Sequence, residues 1–269
     1  MNLKTRLYSN MDIDKIYLGD CLELMKEIPD ASIDCIICDL PYGVLSKNNK
    51  HVQWDRIIPF EQLWEQYLRI AKENAAIVLF GQGMFTAKLM MSNPKLWRYN
   101  LIWQKGGRCS GFLNAKKMPL REHEDIVVFY RKQPIYNPQM RKCEPCERNH
   151  SRGRQEKEHT NRCYGNFGKV DDVITDLKYP KSILNFKRQH PQVHPTQKPV
   201  ELIRYLIRTY TNEGDLILDN CSGSGTTAVA AIREKRHFIG MELNKEYSDI
   251  ACQRIKKEQI EIENSLFNM

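Results

Sequence analysis

A chain of 269 residues that is 41% apolar and 28% charged can bury a large core, which excludes a disordered or fibrous polymer. No apolar run reaches the roughly 18 residues of a membrane span, and Met1 to Asp20 lacks the order of a signal peptide, so a cytoplasmic protein is expected. Nine cysteines read as buried thiols rather than disulfides, because Cys35 and Cys38 fall in apolar strands and Cys252 in a helical segment.

In chain order, strands are expected at Lys15–Leu18, Ile33–Cys38, Ala75–Phe80, Asn100–Gln104, Asp125–Tyr130, Leu216–Asp219 and Phe238–Met241. Helices are expected at Phe60–Lys72, Pro199–Tyr210, Thr226–Glu234 and Lys245–Glu263. Strands alternating with helices imply an α/β fold with a mostly parallel sheet covered on both faces. From Pro134 to His190 the chain is rich in Arg, Asn, Gln, Gly and Pro and keeps no period, which reads as an insertion. The net charge is +8, and Gln104 to His190 carries 19 Lys and Arg against 10 Asp and Glu. An excess that exceeds the charge of the whole chain, without amphipathic helical spacing, points to a polyanion such as nucleic acid rather than to a membrane.

The segment LILDNCSGSGTTAVAA, Leu216 to Ala231, runs from an apolar strand through Asp219, Cys221, Ser222, Gly223 and Gly225 into a helix opened by Thr226 and Thr227. A strand, glycine turn and helix bring main chain close to a nucleotide-like ligand, although a purely structural turn has the same appearance. Glu242 follows some 20 residues later at the end of the next strand, where a carboxylate can accept from ribose hydroxyls. The Lys-Ser/Thr pair of a phosphate-binding loop is absent, so the ligand carries a ribose and need not carry phosphate.

A second motif, Asp39-Leu40-Pro41-Tyr42, ends the Ile33–Cys38 strand. Together with the D-x-x-x-G-x-G turn and HPTQKPVEL, it resembles the β-group amino-methyltransferases of DNA, over about Lys15 to Ile255 and in the same motif order. The resemblance implies a doubly wound, circularly permuted methyltransferase sheet with an inserted target-recognition region. Residues 12–130 would form a catalytic half, 131–190 the insertion and 191–269 the cofactor half. It also implies S-adenosyl-L-methionine as cofactor and double-stranded DNA as substrate, and it leaves room for a homodimer and for a cognate restriction endonuclease. Asp20 and Cys21 would lie near the cofactor adenine, and Thr196 and Lys198 would line the cofactor pocket over its methionine part. Asp20 and Thr196 serve equally well as helix caps.

An exocyclic amine is a poor nucleophile because its lone pair is delocalised into the ring. Asp39 can accept one N–H and the Leu40 carbonyl the other, while Pro41 restricts Leu40 and Tyr42 offers a face to an extruded base. Asp39 then also borders the cofactor. The family's usual tetrapeptide has a second proline where this chain has Leu40, and only the carbonyl of that residue is used. An acid at the first position is typical of adenine-N6 members, so adenine is expected, with cytosine-N4 as the alternative. A cytosine-C5 mechanism needs a catalytic Cys after Pro, and Pro145-Cys146 sits away from any strand end.

An RNA or protein amine methyltransferase fits the motif order less well. A non-catalytic zinc-stapled DNA-binding module is a further reading, since Cys143, Cys146, His159 and Cys163 have ligand-like spacing; the reading adopted has no metal. Phosphate contacts are expected from Arg141, Lys142, Arg148, Arg152 and Arg154, or from Lys105, Arg108, Lys116, Lys117 and Arg121.

Overall fold

The computed structural model describes residues 11–45, 54–107, 109–143, 160–161, 165–166, 176–188 and 197–267. The chain divides into two compact units, Met1–Asn137 with Ser182–Met269, and Pro138–Lys181. In chain order the larger unit begins with β1 (Lys15–Leu18), α1 (Cys21–Leu24), β2 (Ile33–Cys38), α2 (Phe60–Ile70), β3 (Ala71–Gly81), α3 (Met84–Ser92), β4 (Trp97–Gln104) and β5 (His123–Phe129). The smaller unit contains two short antiparallel pairs, β6 (Arg141–Lys142) with β9 (Leu177–Lys178) and β7 (Thr160–Asn161) with β8 (Gly165–Asn166). The larger unit resumes with β10 (Ile183–Asn185), α4 (Val200–Tyr210), β11 (Leu216–Asp219), α5 (Thr226–Arg233), β12 (His237–Glu242) and α6 (Lys245–Phe267).

Eight strands of the larger unit form one sheet in the order β1-β12-β11-β2-β3-β5-β4-β10. Every pairing is parallel except those of β5, which runs antiparallel to both β3 and β4. The two faces bury separate cores. Ile33, Ile36, Ile77 and Leu79 pack with Leu63 and Tyr67 of α2 and Phe85 and Leu89 of α3. Cys35, Ile37, Val78 and Phe80 pack with Leu202 and Leu206 of α4 and Val229 and Ala230 of α5. Cover on both faces explains why β2 and β3 read as continuous apolar runs rather than alternating ones. Each fully buried Leu or Ile contributes roughly 1.5–3 kcal/mol of transfer free energy.

The helix α4 forms because Val200, Ile203, Leu206, Ile207 and Tyr210 recur at helical spacing and are all buried. Its outer face carries Arg204, whose Nε is 2.6 Å from Glu234 Oε1. Within the stretch expected to be an insertion, Ile183–Asn185 instead joins the main sheet beside β4. Asn137 caps the end of α4, donating its side-chain amide to the carbonyls of Arg208 at 3.2 Å and Thr211 at 3.1 Å. The helix α3 has no counterpart among the sequence expectations. It starts at Gly83 without a capping side chain and carries apolar residues on both its exposed side (Met84, Met91) and its buried side (Phe85, Leu89), so no period is visible. Cys35 and Cys38 are buried thiols, but Cys252 is exposed on α6, contrary to expectation. Among the described residues, no helix is long and apolar enough to cross a membrane.

Candidate active site

The parallel strands β1, β2, β3, β4, β11 and β12 all end at one edge of the sheet, and antiparallel β5 begins there. A cleft of about 580 Å³ lies along this edge. That size suits a nucleoside-containing ligand. The chain segments after β1, β2, β3, β4, β11 and β12 contribute to its wall, as do Glu124 from β5 and Lys198 just before α4.

On one side, the acids are held by main chain and hydroxyls. Asp219 accepts from the Cys221 N–H at 3.2 Å and from the Thr227 hydroxyl, while burial pushes its carboxyl up to about 6. Gly223, at φ +50°, lacks a side chain and donates its N–H to Glu242 Oε2 at 2.7 Å; the Asn244 N–H donates to Oε1 at 2.8 Å. Burial raises the Glu242 carboxyl against these donors. Asp20 caps α1, accepting from the Leu22 N–H at 2.8 Å, and lines the cleft at the same time. The capping and ligand-facing roles are therefore compatible. Cys21 and Cys221 also line this wall, and both thiols are pushed up, with the Cys21–Cys221 contact and burial raising Cys21.

Ser222 lines the cleft as well as bracing the glycine turn, whereas Gly225 has structural work alone. Gly225, expected at the ligand, is not part of the cleft wall. At φ +74°, a Cβ there would stand 2.9 Å from the Ala251 Cβ, so the glycine permits α5 to approach α6. The Ser222 hydroxyl donates to the Asp219 carbonyl at 2.9 Å. Arg254, which carries no sequence signal of its own, reaches from α6 and donates to the Ser224 hydroxyl at 2.9 Å. Thr226 and Thr227 both line the cleft.

On the other side lies the tetrapeptide. Leu40 is buried in the core, so the departure from proline is filled by packing. The Tyr42 ring stacks on Phe85 with centroids 4.7 Å apart, and its hydroxyl donates to Asp39 Oδ1 at 2.9 Å. Asp55 fixes the following loop by accepting from the N–H groups of Gly43 at 2.9 Å and Leu45 at 2.7 Å.

Asp39 Oδ2 is ion-paired with the Lys198 ammonium. Lys198 Nζ stands 3.2 Å from Glu124 Oε2, and Glu124 Oε1 stands 2.8 Å from Lys105 Nζ. Two carboxylates and two ammonium groups form one balanced chain, in which Lys105, Lys198 and Glu124 are buried. Balance is required, because an unpaired charge in this position costs several kcal/mol.

Burial raises the Asp39 carboxyl, with Lys198 opposing the rise. Burial alone would lower the Lys198 ammonium, but Asp39 and Glu124 outweigh it and hold it above the usual range. Burial would likewise raise Glu124, and Lys198 and Lys105 bring it down. For Lys105 burial wins, and its ammonium is lowered despite Glu124.

A carboxylate beside a ribose-compatible wall, at the carboxyl edge of a mostly parallel sheet, is the arrangement that the motifs required. The profile of the DNA methylase family of N6 and N4 methyltransferases matches residues 33–253. The chain belongs to the DNA methylase family. Among its relatives is the type II methyltransferase M.BglII of Bacillus subtilis, 27% identical over 96% of this chain and 73% of that protein. The type II methyltransferase M.HinfI of Haemophilus influenzae is 26% identical over 91% of this chain and 69% of its own length. Of solved structures, the cytosine-N4-specific PvuII DNA methyltransferase shares the fold with a TM-score of 0.63 at 17% identity, covering 94% of this chain and 92% of that one. The complex of M1.HpyAVI with SAM has a TM-score of 0.59 at 21% identity, covering 90% and 98%.

Within this methylase the remaining expected residues divide sharply. Lys198, expected over the cofactor's methionine part, lines the cleft and is also the ion partner of Asp39. Lys105, expected at the DNA phosphates, is buried against Glu124 and is not a surface cation. Lys116 and Lys117 are exposed, and Arg121 lines the cleft while donating to Gln82 Oε1 at 3.2 Å. Arg141 and Lys142 form β6 in the smaller unit. Thr196, Arg108, Arg148, Arg152, Arg154, Cys146, His159 and Cys163 lie outside the described residues. Cys143 is buried, and no metal-holding cluster occurs among the described residues. Sequence reasoning missed Glu124. Its only local signal is an acid at the start of an apolar strand, and the reversed direction of β5 alone brings it to the cleft.

Proposed function

We propose that this methylase transfers a methyl group from S-adenosyl-L-methionine to the N6 amine of an adenine extruded from double-stranded DNA. The single observation that carries the reading is the placement of Asp39. It stands in the same cleft as Glu242 and Asp219 and is restrained by Tyr42 and Lys198. The residues present fit the cofactor. Glu242 and Asp20 provide carboxylate acceptors suited to ribose hydroxyls, Gly223 provides uncovered main chain, and Asp219 provides negative charge suited to a sulfonium. When bound, S-adenosyl-L-methionine supplies an electrophilic methyl group.

The chain's own residues supply the rest. Each Asp39 oxygen has a lone pair beyond those engaged by Tyr42 and Lys198, so the carboxylate can accept an amine N–H. Accepting it turns the nitrogen toward a pyramidal geometry and frees its lone pair for attack. As the new N–C bond forms, the amine loses a proton, which Asp39 is placed to take. When Asp39 is protonated, Glu124 remains in ionic contact with both Lys198 and Lys105, so each ammonium keeps a carboxylate neighbour while the chain carries one net positive charge.

Modified-base sequencing of DNA from cells expressing the protein tests this. N6-methyladenine at one sequence motif is expected, absent with Asp39→Ala. N4-methylcytosine would overturn the choice of base, and unmodified DNA would overturn the activity. A cognate restriction endonuclease and a homodimer belong to the same proposal, tested by survival of nuclease challenge and by sedimentation.

A further inference from the structure

The outer part of the loop between β4 and β5, residues 111–120, is not used by the reaction just described. Ser110 and Arg121 face each other across an isolated antiparallel bridge, with N–H to carbonyl distances of 2.8 and 2.9 Å, and both line the cleft. The ten residues between them, Gly111 to Leu120, therefore leave and rejoin the molecule at the lip of the active site. Gly111, at φ +88°, turns the chain into a short helical turn at Phe112–Asn114.

At the tip, Phe112 is 76% exposed and Leu113 is 85% exposed. Two large apolar side chains standing in water cost solvation free energy without a folding return. Lys116 and Lys117 follow in the same turn and are also exposed. The root of the loop is tied to the site by hydrogen bonds. The Ser110 hydroxyl accepts from buried Lys105 at 3.3 Å, and Lys105 belongs to the ion chain that ends at Asp39.

We infer that the Phe112–Leu113 tip is a DNA wedge: it enters the base stack beside the target and fills the space that the extruded base vacates. This rests on the proposed function, since only an enzyme that extrudes a base needs such a filler. Duplex DNA is the occupant that the surroundings fit. Apolar side chains of this kind insert between base steps in DNA-bending proteins, and adjacent lysines meet the flanking phosphates. The loop is also continuous with the cleft that would receive the base.

The test compares the parent with Phe112→Ala/Leu113→Ala on two duplexes carrying the methylation site found by modified-base sequencing. One is fully paired and one has an abasic site opposite the target, where extrusion leaves no paired partner to replace. On the paired duplex the variant should lose roughly 10-fold or more in kcat/KM, together with the fluorescence rise of 2-aminopurine placed at the target. The abasic duplex should return the variant to within a few-fold of the parent, and the thermal shift produced by S-adenosyl-L-methionine should be unchanged. Parental behaviour on the paired duplex would overturn the wedge, as would an equal loss on both duplexes. Conversion of a dimeric parent to a monomeric variant in sedimentation would reassign the tip to self-association. Failure of the parent itself on both duplexes would instead sink the proposed function.

Discussion

On the β11–β12 side of the cleft, Glu242 and Asp219 are held by N–H and hydroxyl donors of neighbouring turns, whereas on the β2–β5 side Asp39 and Glu124 are held by the ammonium groups of Lys198 and Lys105. Neutral donors sit within a few residues of the acid or on an adjacent strand, and each acid can be removed with local consequences. The ion chain is different, because each member neutralises the next. A site that must bind a cation-bearing cofactor gains from negative charge left free of ammonium partners. An acid proposed to take a proton leaves its lysine partner in contact with a second carboxylate, Glu124.

The largest effect expected from breaking this contrast is on turnover. Asp39→Ala should reduce methyl transfer by about 10²–10⁴-fold or more, with cofactor affinity by calorimetry close to the parent's. Turnover near the parent's would remove Asp39 from the chemistry. Lys198→Met should lower unfolding free energy by about 3–5 kcal/mol in urea titrations, because it strands a carboxylate in the buried chain. The same substitution should abolish activity, whereas a stability within about 1 kcal/mol of the parent's would show that the chain is not cooperative.

Asp219 sharpens the comparison through pH. Its folded-state carboxyl is raised from 3.8 to about 6 by burial, so between those values the native state holds a proton that the unfolded state has released. Stability contributed at this site therefore falls as pH rises across that window, by roughly 3 kcal/mol in total at about 1.36 kcal/mol per pH unit. Asp219→Asn should flatten that part of the profile relative to the parent in unfolding measured from about pH 4 to 7. Coincident profiles would assign the pH dependence elsewhere.

Glu242→Ala should weaken cofactor binding by about 1.5–3 kcal/mol, the cost of removing a charged acceptor, and leave DNA affinity alone. Unchanged cofactor affinity would take Glu242 out of the ribose site. The smallest change is expected at the surface. Neutralising Arg141 and Lys142, or Lys116 and Lys117, should lower the slope of log affinity against log salt by about 0.9 for every phosphate that the variant no longer neutralises, without altering sequence preference. An unaltered slope for one pair would mark it as a solvated face.

Much of this arrangement is legible in the sequence. The strands Lys15–Leu18, Ile33–Cys38 and Leu216–Asp219 follow the apolar runs residue for residue. Asp39 and Glu242 are legible because each is the acid at or just past the end of such a run, and Asp219 because its strand enters a glycine turn. These are properties of contiguous segments, in which side-chain period and turn chemistry act over a few residues. Gly225 shows the boundary of that information. Its positive φ is foreseeable, but only the packing of α6 reveals that Ala251 rather than a ligand occupies the space above it.

What the sequence by itself determined was seven of the eight main-sheet strands, four of the helices, the motif order and the acids at strand ends. The tertiary structure alone decided their partners. Lys198 is 159 residues from Asp39 along the chain, and Lys105 reads as a surface cation until β4 and β5 place it beneath the cleft. Direction mattered as much as distance, since Glu124 reaches the site only because β5 runs against its neighbours and begins where they end. Charge pairing between distant segments leaves no periodic trace in a sequence, because the free energy that fixes it arises only after the sheet has closed and excluded water.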